Sequence, residues 1–126
     1  MHRSQLSGLS IDCKTDDLEA ATTFWSRALG LPCRASTNPE DVGFTRLETK
    51  PNDLTIEVQR VDHPSRVHLD IEADDVEAEV RRLEGFGAKR VKQIRTWWVM
   101  EAPTGQRFCG DRPQRANFAA DANRWE

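Results

Sequence analysis

Long apolar runs are missing from this 126-residue chain. Spanning a bilayer takes about 20 consecutive apolar residues, and nothing near that length occurs, so no membrane partner is expected. The first ten residues, MHRSQLSGLS, hold no apolar core of the kind that marks a secretion signal. A basic excess is missing as well: 18 Lys and Arg stand against 21 Asp and Glu, without a basic run. Nucleic acid, which selects a positive face, is thereby set aside as a partner. Cysteine is scarce. Cys13, Cys33 and Cys109 are odd in number and widely spaced. They make neither a CxxC zinc pair nor a disulfide framework, and fit reduced thiols in a cytoplasmic protein. What remains is one domain over residues 1–126, a length that suits a single hydrophobic core.

Against these absences stands a duplication. Residues 16–20 read DDLEA and residues 74–78 read DDVEA. Each is preceded by an alternating segment, LSIDCKT and VHLDIEA, and followed by a stretch that ends near glycine, FWSRALG and RRLEGFG. A second echo pairs KPNDLTIE (50–57) with APTGQRFC (102–109), a proline turn leading into a strand-like run. Ile11 and Cys13 alternate with Ser10, Asp12 and Lys14; Val67, Leu69 and Ile71 alternate with His68, Asp70 and Glu72. Both are the period-two pattern of half-buried strands. Asp16 with Glu19, and Asp74 with Glu77, have capping-box spacing at a helix start. Leu18, Ala21, Trp25, Ala28 and Leu29 share one helical face, as do Val76, Val80 and Leu83, and glycines close both helices. Strands are expected after the first helix at about 31–36, 42–48 and 54–61, with a turn at NPEDVG, and after the second at about 88–94, 96–101 and 106–111. Each copy reads βαβββ, the first over about 5–61 and the second over about 67–112. The tail 113–126 is polar, but Phe118 and Trp125 favour folding back onto the sheet.

The segments DLEAATTFWSRALGLP (17–32), VHLDIEADDVEAEVRRLEGFGA (67–88) and APTGQRFC (102–109) resemble the vicinal oxygen chelate superfamily. That superfamily contains glyoxalase I, bleomycin-resistance proteins and extradiol dioxygenases, and the likeness is greatest to its small glyoxalase-like domains. The resemblance implies an α+β fold of two tandem βαβββ units forming a cupped mixed sheet with helices on the outer face, and a homodimer. It also implies a divalent metal on four side chains, which fall here on Ser10, Glu57, His68 and Cys109. Glu57 and His68 match the pattern. Ser10 offers a weakly binding hydroxyl, and Cys109 puts a soft thiolate in place of a hard carboxylate. Glu57, His68 and Cys109 alone would make an open zinc-type site. With two of four positions altered, no cofactor is the first expectation and a divalent metal the second. A lactoylglutathione lyase is disfavoured for the same reason.

If Val67, Leu69 and Ile71 pack under the second helix, His68, Asp70 and Glu72 face the other way. Ser10 and Asp12 do so in the first copy, with Thr55, Glu57, Gln59, Arg107, Cys109 and Asp111 beside them. In the resembled family that face lines a ligand cavity. The expected function is a glyoxalase-like enzyme or binder of a small molecule, of lyase or isomerase type if catalytic, around Glu57 and His68. His68 and Glu57 are the candidate catalytic pair. Ser10, Asp12, Asp70, Trp98 and Cys109 are candidate ligand contacts, with Trp97 and Met100 near them. Two alternatives stay open: a ligand-sequestering protein of bleomycin-resistance type, and an interaction domain whose cavity is filled by Trp97, Trp98 or Trp125. Phe24 and Trp25 read as core or dimer packing, Cys13 and Cys33 as packing, Arg81 and Arg82 as a solvated face. His63 reads as a turn residue and His2 as a mobile terminus.

Overall fold

The computed structural model describes residues 1–34 and 43–126. In chain order these form β1 (His2–Lys14), α1 (Leu18–Leu29), β2 (Cys33–Arg34), β3 (Phe44–Leu47), β4 (Thr55–Val61), β5 (Arg66–Ala73), α2 (Val76–Gly85), β6 (Lys89–Ile94), β7 (Trp97–Glu101), β8 (Arg107–Asp111), α3 (Phe118–Asp121) and β9 (Asn123–Trp125). The class is α+β, and the order βαβββ occurs twice before α3 and β9. The expected NPEDVG turn, save Gly43, lies outside the described residues, as do the parts of the 31–36 and 42–48 strands that fall within 35–42.

The described residues divide into two compact units, 9–67 and 1–8 with 68–126, so that β1 contributes to both. In the unit 9–67 the strand order is β2-β3-β4-β1, with β2–β3 and β3–β4 antiparallel and α1 packed on β2, β3 and β4. Leu47 and Val58 are at its core. In the other unit the order is β1-β5-β8-β7-β6. There β5 and β8 are parallel, β7 is antiparallel to β8 and β6, and β9 is antiparallel to β1. The helix α2 packs on β6 and β8, over a core that includes Ala73, Val80 and Met100.

Both helix starts lie one residue later than the capping-box spacing predicts. Asp17, not Asp16, accepts a hydrogen bond from the Ala20 amide at 3.0 Å, and Asp75, not Asp74, accepts from the Ala78 amide at 3.0 Å. Either aspartate of an adjacent pair can cap, and in the second copy Asp74 is already taken by the Arg3 amide at 2.7 Å. On α1 the buried position is Thr22, whose hydroxyl donates to the Leu18 carbonyl at 2.8 Å, while Leu29 and Phe24 are exposed. Phe24 meets Trp25 edge-on with ring centroids 5.1 Å apart. Cys33 is exposed rather than packed, and Cys13 is half-buried.

The expectation that Val67 and Leu69 pack under α2 is not met: they are 58% and 52% exposed. The helix α2 packs on β6 and β8, and these two β5 side chains stay exposed.

His2 is no mobile terminus. It is 8% exposed within β1, and its Nε2 donates to the Glu79 Oε1 at 2.8 Å. The Glu79 side chain is 2% exposed and also accepts from Arg82 Nε and Nη2 at 2.8 and 2.9 Å. The Arg82 guanidinium lies 3.9 Å from the Trp125 ring centroid, so Arg82 is not a solvated face residue. The Trp125 indole N–H donates to Ser4 Oγ at 2.8 Å. The tail does fold back: β9 pairs with β1, His2 opposite Trp125, and Phe118 is buried. Burial raises the Glu79 pKa, but hydrogen bonds from Arg82, His2 and Ser4 outweigh it and leave the carboxyl below its ordinary 4.5. A depressed carboxyl contributes stability that is present above pH 4.5 and lost as pH falls through its folded value. Glu79→Gln is expected to cost about 3 kcal/mol, or roughly 10 °C in Tm. Melting curves between neutral and acid pH check this, and the variant's Tm falls less steeply below pH 4.5 than the parent's.

Candidate functional site

Alternation along β5 puts His68, Asp70 and Glu72 on the face opposite Leu69 and Ile71. Because β8 runs parallel to β5 with Asp70 opposite Cys109, the Cys109 side chain emerges on the His68–Asp70 face. The three come together: one donor atom from each, imidazole nitrogen, carboxylate oxygen and Sγ, lies within 4.8 Å of the others. His68 Nε2 is 3.1 Å from Asp70 Oδ1, and the His68 side chain is 10% exposed. The Ser7 hydroxyl donates to the Asp70 carbonyl at 3.1 Å and ties that point of β5 to β1.

Polar groups on this face are paired with one another. Arg107 Nε donates to Glu101 Oε1 at 3.1 Å across β7 and β8, and the Thr96 hydroxyl donates to Asp111 at 2.9 Å. Glu72 shares the face but is fully buried. Its carboxylate accepts from Gln5 Nε2 at 2.7 Å and from the amides of Gln114 and Arg115 at 2.7 and 3.0 Å, so it anchors the start of the tail.

Trp98 is not brought to this cluster. In the β7–β8 register Val99 stands opposite Cys109 and Trp98 opposite Gly110, which places Trp98 on the helix-bearing face. There the Arg90 guanidinium lies 5.1 Å from its ring centroid, and Arg90 is bonded to Glu77 and Glu84 of α2. Met100 shares that face and is fully buried. Trp97 takes the Cys109 face instead. Trp125 is held by Ser4 and Arg82, which assigns it to tail docking. The sequence WWVM is apolar at every position, so no alternation in it could reveal which tryptophan points where.

In the unit 9–67, β3 and β4 set Arg46 opposite Glu57, and Arg46 Nη2 donates to Glu57 Oε1 at 2.7 Å. Sequence reading passed over Arg46; its signal was a basic residue one hairpin away from the carboxylate. Ser10 and Asp12 are both buried, and Arg66 Nε approaches Asp12 at 3.8 Å. His63 Nδ1 lies 2.8 Å from the Pro64 carbonyl, consistent with its turn position. The outer face of α1 carries an open depression lined by Ala20, Thr23, Phe24, Arg27 and Ala28, which holds no acid–base pair.

The four side chains matched to the family's metal positions do not suit a hard ion. Ser10 is a neutral hydroxyl, Cys109 a soft thiol, and Glu57 is already engaged by Arg46. The His68, Asp70 and Cys109 set does suit a borderline-soft ion by its donor chemistry.

A glyoxalase-like domain family model matches residues 9–110. No curated protein gives a significant sequence match. Among solved structures, a hypothetical protein from Bacillus halodurans C-125 superposes with a TM-score of 0.64 at 12% identity, over 89% of this chain and 96% of that one. A methylmalonyl-CoA epimerase from Mycobacterium tuberculosis gives 0.62 at 17% identity, over 91% of each chain. An Mn(II)-bound glyoxalase from Novosphingobium aromaticivorans gives 0.61 at 18% identity, over 89% of this chain and 40% of its own. At these identities the likeness is one of fold. No helix among the described residues is long and apolar enough to cross a membrane.

Removing the Glu72 carboxylate leaves the Gln114 and Arg115 amides without their acceptor, at about 1–3 kcal/mol. Glu72→Ala is expected to speed hydrogen exchange at residues 113–117 about tenfold or more, with β5 and β8 still protected, as read by exchange mass spectrometry.

Proposed function

Because the chain belongs to the glyoxalase-like domain family, we propose that it is a small-molecule enzyme in which His68, set against Asp70, moves protons at a carbon next to a carbonyl group. The observation that carries this reading is the His68–Asp70 contact at 3.1 Å on a side chain that is 10% exposed. A carboxylate held against a ring nitrogen fixes the orientation of an imidazole, a group suited to accepting and donating protons. Within residues 9–67, Glu57, the other candidate catalytic residue, is held by the Arg46 guanidinium, a charge-assisted hydrogen bond that keeps the carboxylate in one position. Fold neighbours that include a glyoxalase and an epimerase support an isomerase-type reaction; both names describe those proteins. Of the candidate ligand contacts, Asp70 and Cys109 belong to the His68 patch, with Trp97 in the role first given to Trp98. Ser10 and Asp12, being buried, are assigned to holding β1. A cytoplasmic homodimer is proposed with this reading, and sedimentation equilibrium supplies the mass that decides the assembly.

The test is a panel of small thioesters, 2-oxo acids and thiol adducts of 2-oxoaldehydes, screened by NMR in deuterium oxide. Turnover, or deuterium entering the carbon beside the carbonyl, is the expected result, reduced about 100-fold or more in His68→Ala. Saturable binding without exchange or turnover would instead identify the ligand-sequestering alternative.

A further inference from the structure

We propose that Arg107 binds the carboxylate of the substrate, and that the substrates are small 2-oxo carboxylic acids with an apolar side chain. The proposal deepens the proposed function and rests on it for the proton-transfer step. Its anion-binding half stands on β6, β7 and β8 and is measured separately.

Register sets the guanidinium beside His68. Leu69 stands opposite Phe108 and Asp70 opposite Cys109. One step earlier, His68 and Arg107 therefore lie in line on neighbouring strands, on the face that carries Cys109. Adjacent strands are about 4.8 Å apart, so a group held by Arg107 lies within reach of the imidazole. The arginine is also positioned: its Nε donates to Glu101 Oε1 at 3.1 Å, and both side chains are 34% exposed. Among the described residues Arg107 makes no other side-chain hydrogen bond, which leaves its Nη donors for a ligand.

Charge balance favours an anion at this point. The row continues from Arg107 to Glu101 on β7 and to Lys89 on β6, one carboxylate between two cations. The other acids on the face have donors of their own. Asp111 accepts from Thr96 and from the Arg112 amide, Glu72 accepts from Gln5 and two tail amides, and Asp70 lies against His68. A guanidinium offers paired N–H groups that match the oxygens of a carboxylate. Beside this row the face is apolar and half-buried. Val99 stands opposite Cys109, Trp97 follows two residues away, and Ile94 stands opposite Trp97, so an apolar side chain has a surface to cover.

The placement fits a carboxyl group next to a carbonyl. Arg107 takes oxygens from both while His68 removes a proton from C3. The C–H electron pair becomes the C2=C3 bond, and the charge that grows on the C2 oxygen falls against the guanidinium. Return of the proton from His68 to C3 restores the 2-oxo acid.

The probes are 4-methyl-2-oxopentanoate and its uncharged amide, given to the full chain in deuterium oxide. Calorimetry reads affinity, and NMR reads exchange at C3 above the uncatalysed rate. The acid is expected to bind about tenfold or more tightly than the amide. Arg107→Gln is expected to slow exchange of the acid about 100-fold and to abolish the preference for acid over amide. Arg107→Lys keeps the charge without the fork and restores part of that preference. A purely structural role would slow both compounds alike and leave the preference as it was. Circular dichroism and Tm confirm that both variants fold. Absence of acid binding, or a preference unchanged in Arg107→Gln, overturns the assignment. Acid binding that depends on Arg107, with no exchange in any compound, overturns the proton-transfer reading and leaves the anion site standing. Exchange of neutral thioesters that is lost in His68→Ala, with no preference for the acid, does the reverse.

Discussion

Two parallel strands cannot be joined by a tight turn; the chain must leave the first and cross over before laying down the second. Here the crossover from β5 to β8 takes in α2, β6 and β7, and its outcome is one register: Asp70 opposite Cys109. Much else in the unit of residues 1–8 and 68–126 depends on that pairing. It delivers a thiol from residue 109 to an imidazole and a carboxylate from residues 68 and 70. Through the antiparallel β7 it also decides that Val99 and Trp97 share the Cys109 face while Trp98 and Met100 turn toward α2. A register shift of one residue would exchange the two faces.

The same unit buries two carboxylates, and each is satisfied in a way that explains why the chain ends are ordered. Glu79 takes hydrogen bonds from His2 at the start of the chain and from Arg82 on its own helix, and Trp125 at the end stacks on that same Arg82. Glu72 accepts two backbone amides from residues 114 and 115. Taking a charge out of water is costly unless its lone pairs are met. With them met, both termini are drawn into specific places against β1 and β5.

The βαβββ duplication was legible because it rests on local signals. These are alternation, apolar helical faces, paired aspartates and closing glycines, all of which survive in a single sequence. The strand limits after α2 came within a residue or two, and Phe118 and Trp125 signalled that the tail would dock. His2 and Ser4 were not legible as buried strand residues, since their burial is secured by hydrogen bonds to Glu79 and Trp125, more than 70 positions away. The capping aspartates were misplaced by one residue because adjacent aspartates compete on nearly equal terms. Val67 and Leu69 read as core from alternation, which tells faces apart but not which strands a helix covers. For the candidate site, His68, Asp70 and Cys109 were each picked out, while their mutual contact was not, and Trp98 lies on the other face of its strand.

The amino-acid order by itself determined the element types, their repeated succession and the two-faced character of β5, since each follows from interactions between residues close along the chain. Tertiary structure alone decided which polar groups meet: Glu57 with Arg46, Glu79 with His2 and Arg82, His68 with Asp70 and Cys109. Those meetings depend on strand register and on crossovers, which no local pattern encodes. An offset of a single residue in register changes every pairing while leaving the hydropathy of each segment as it was.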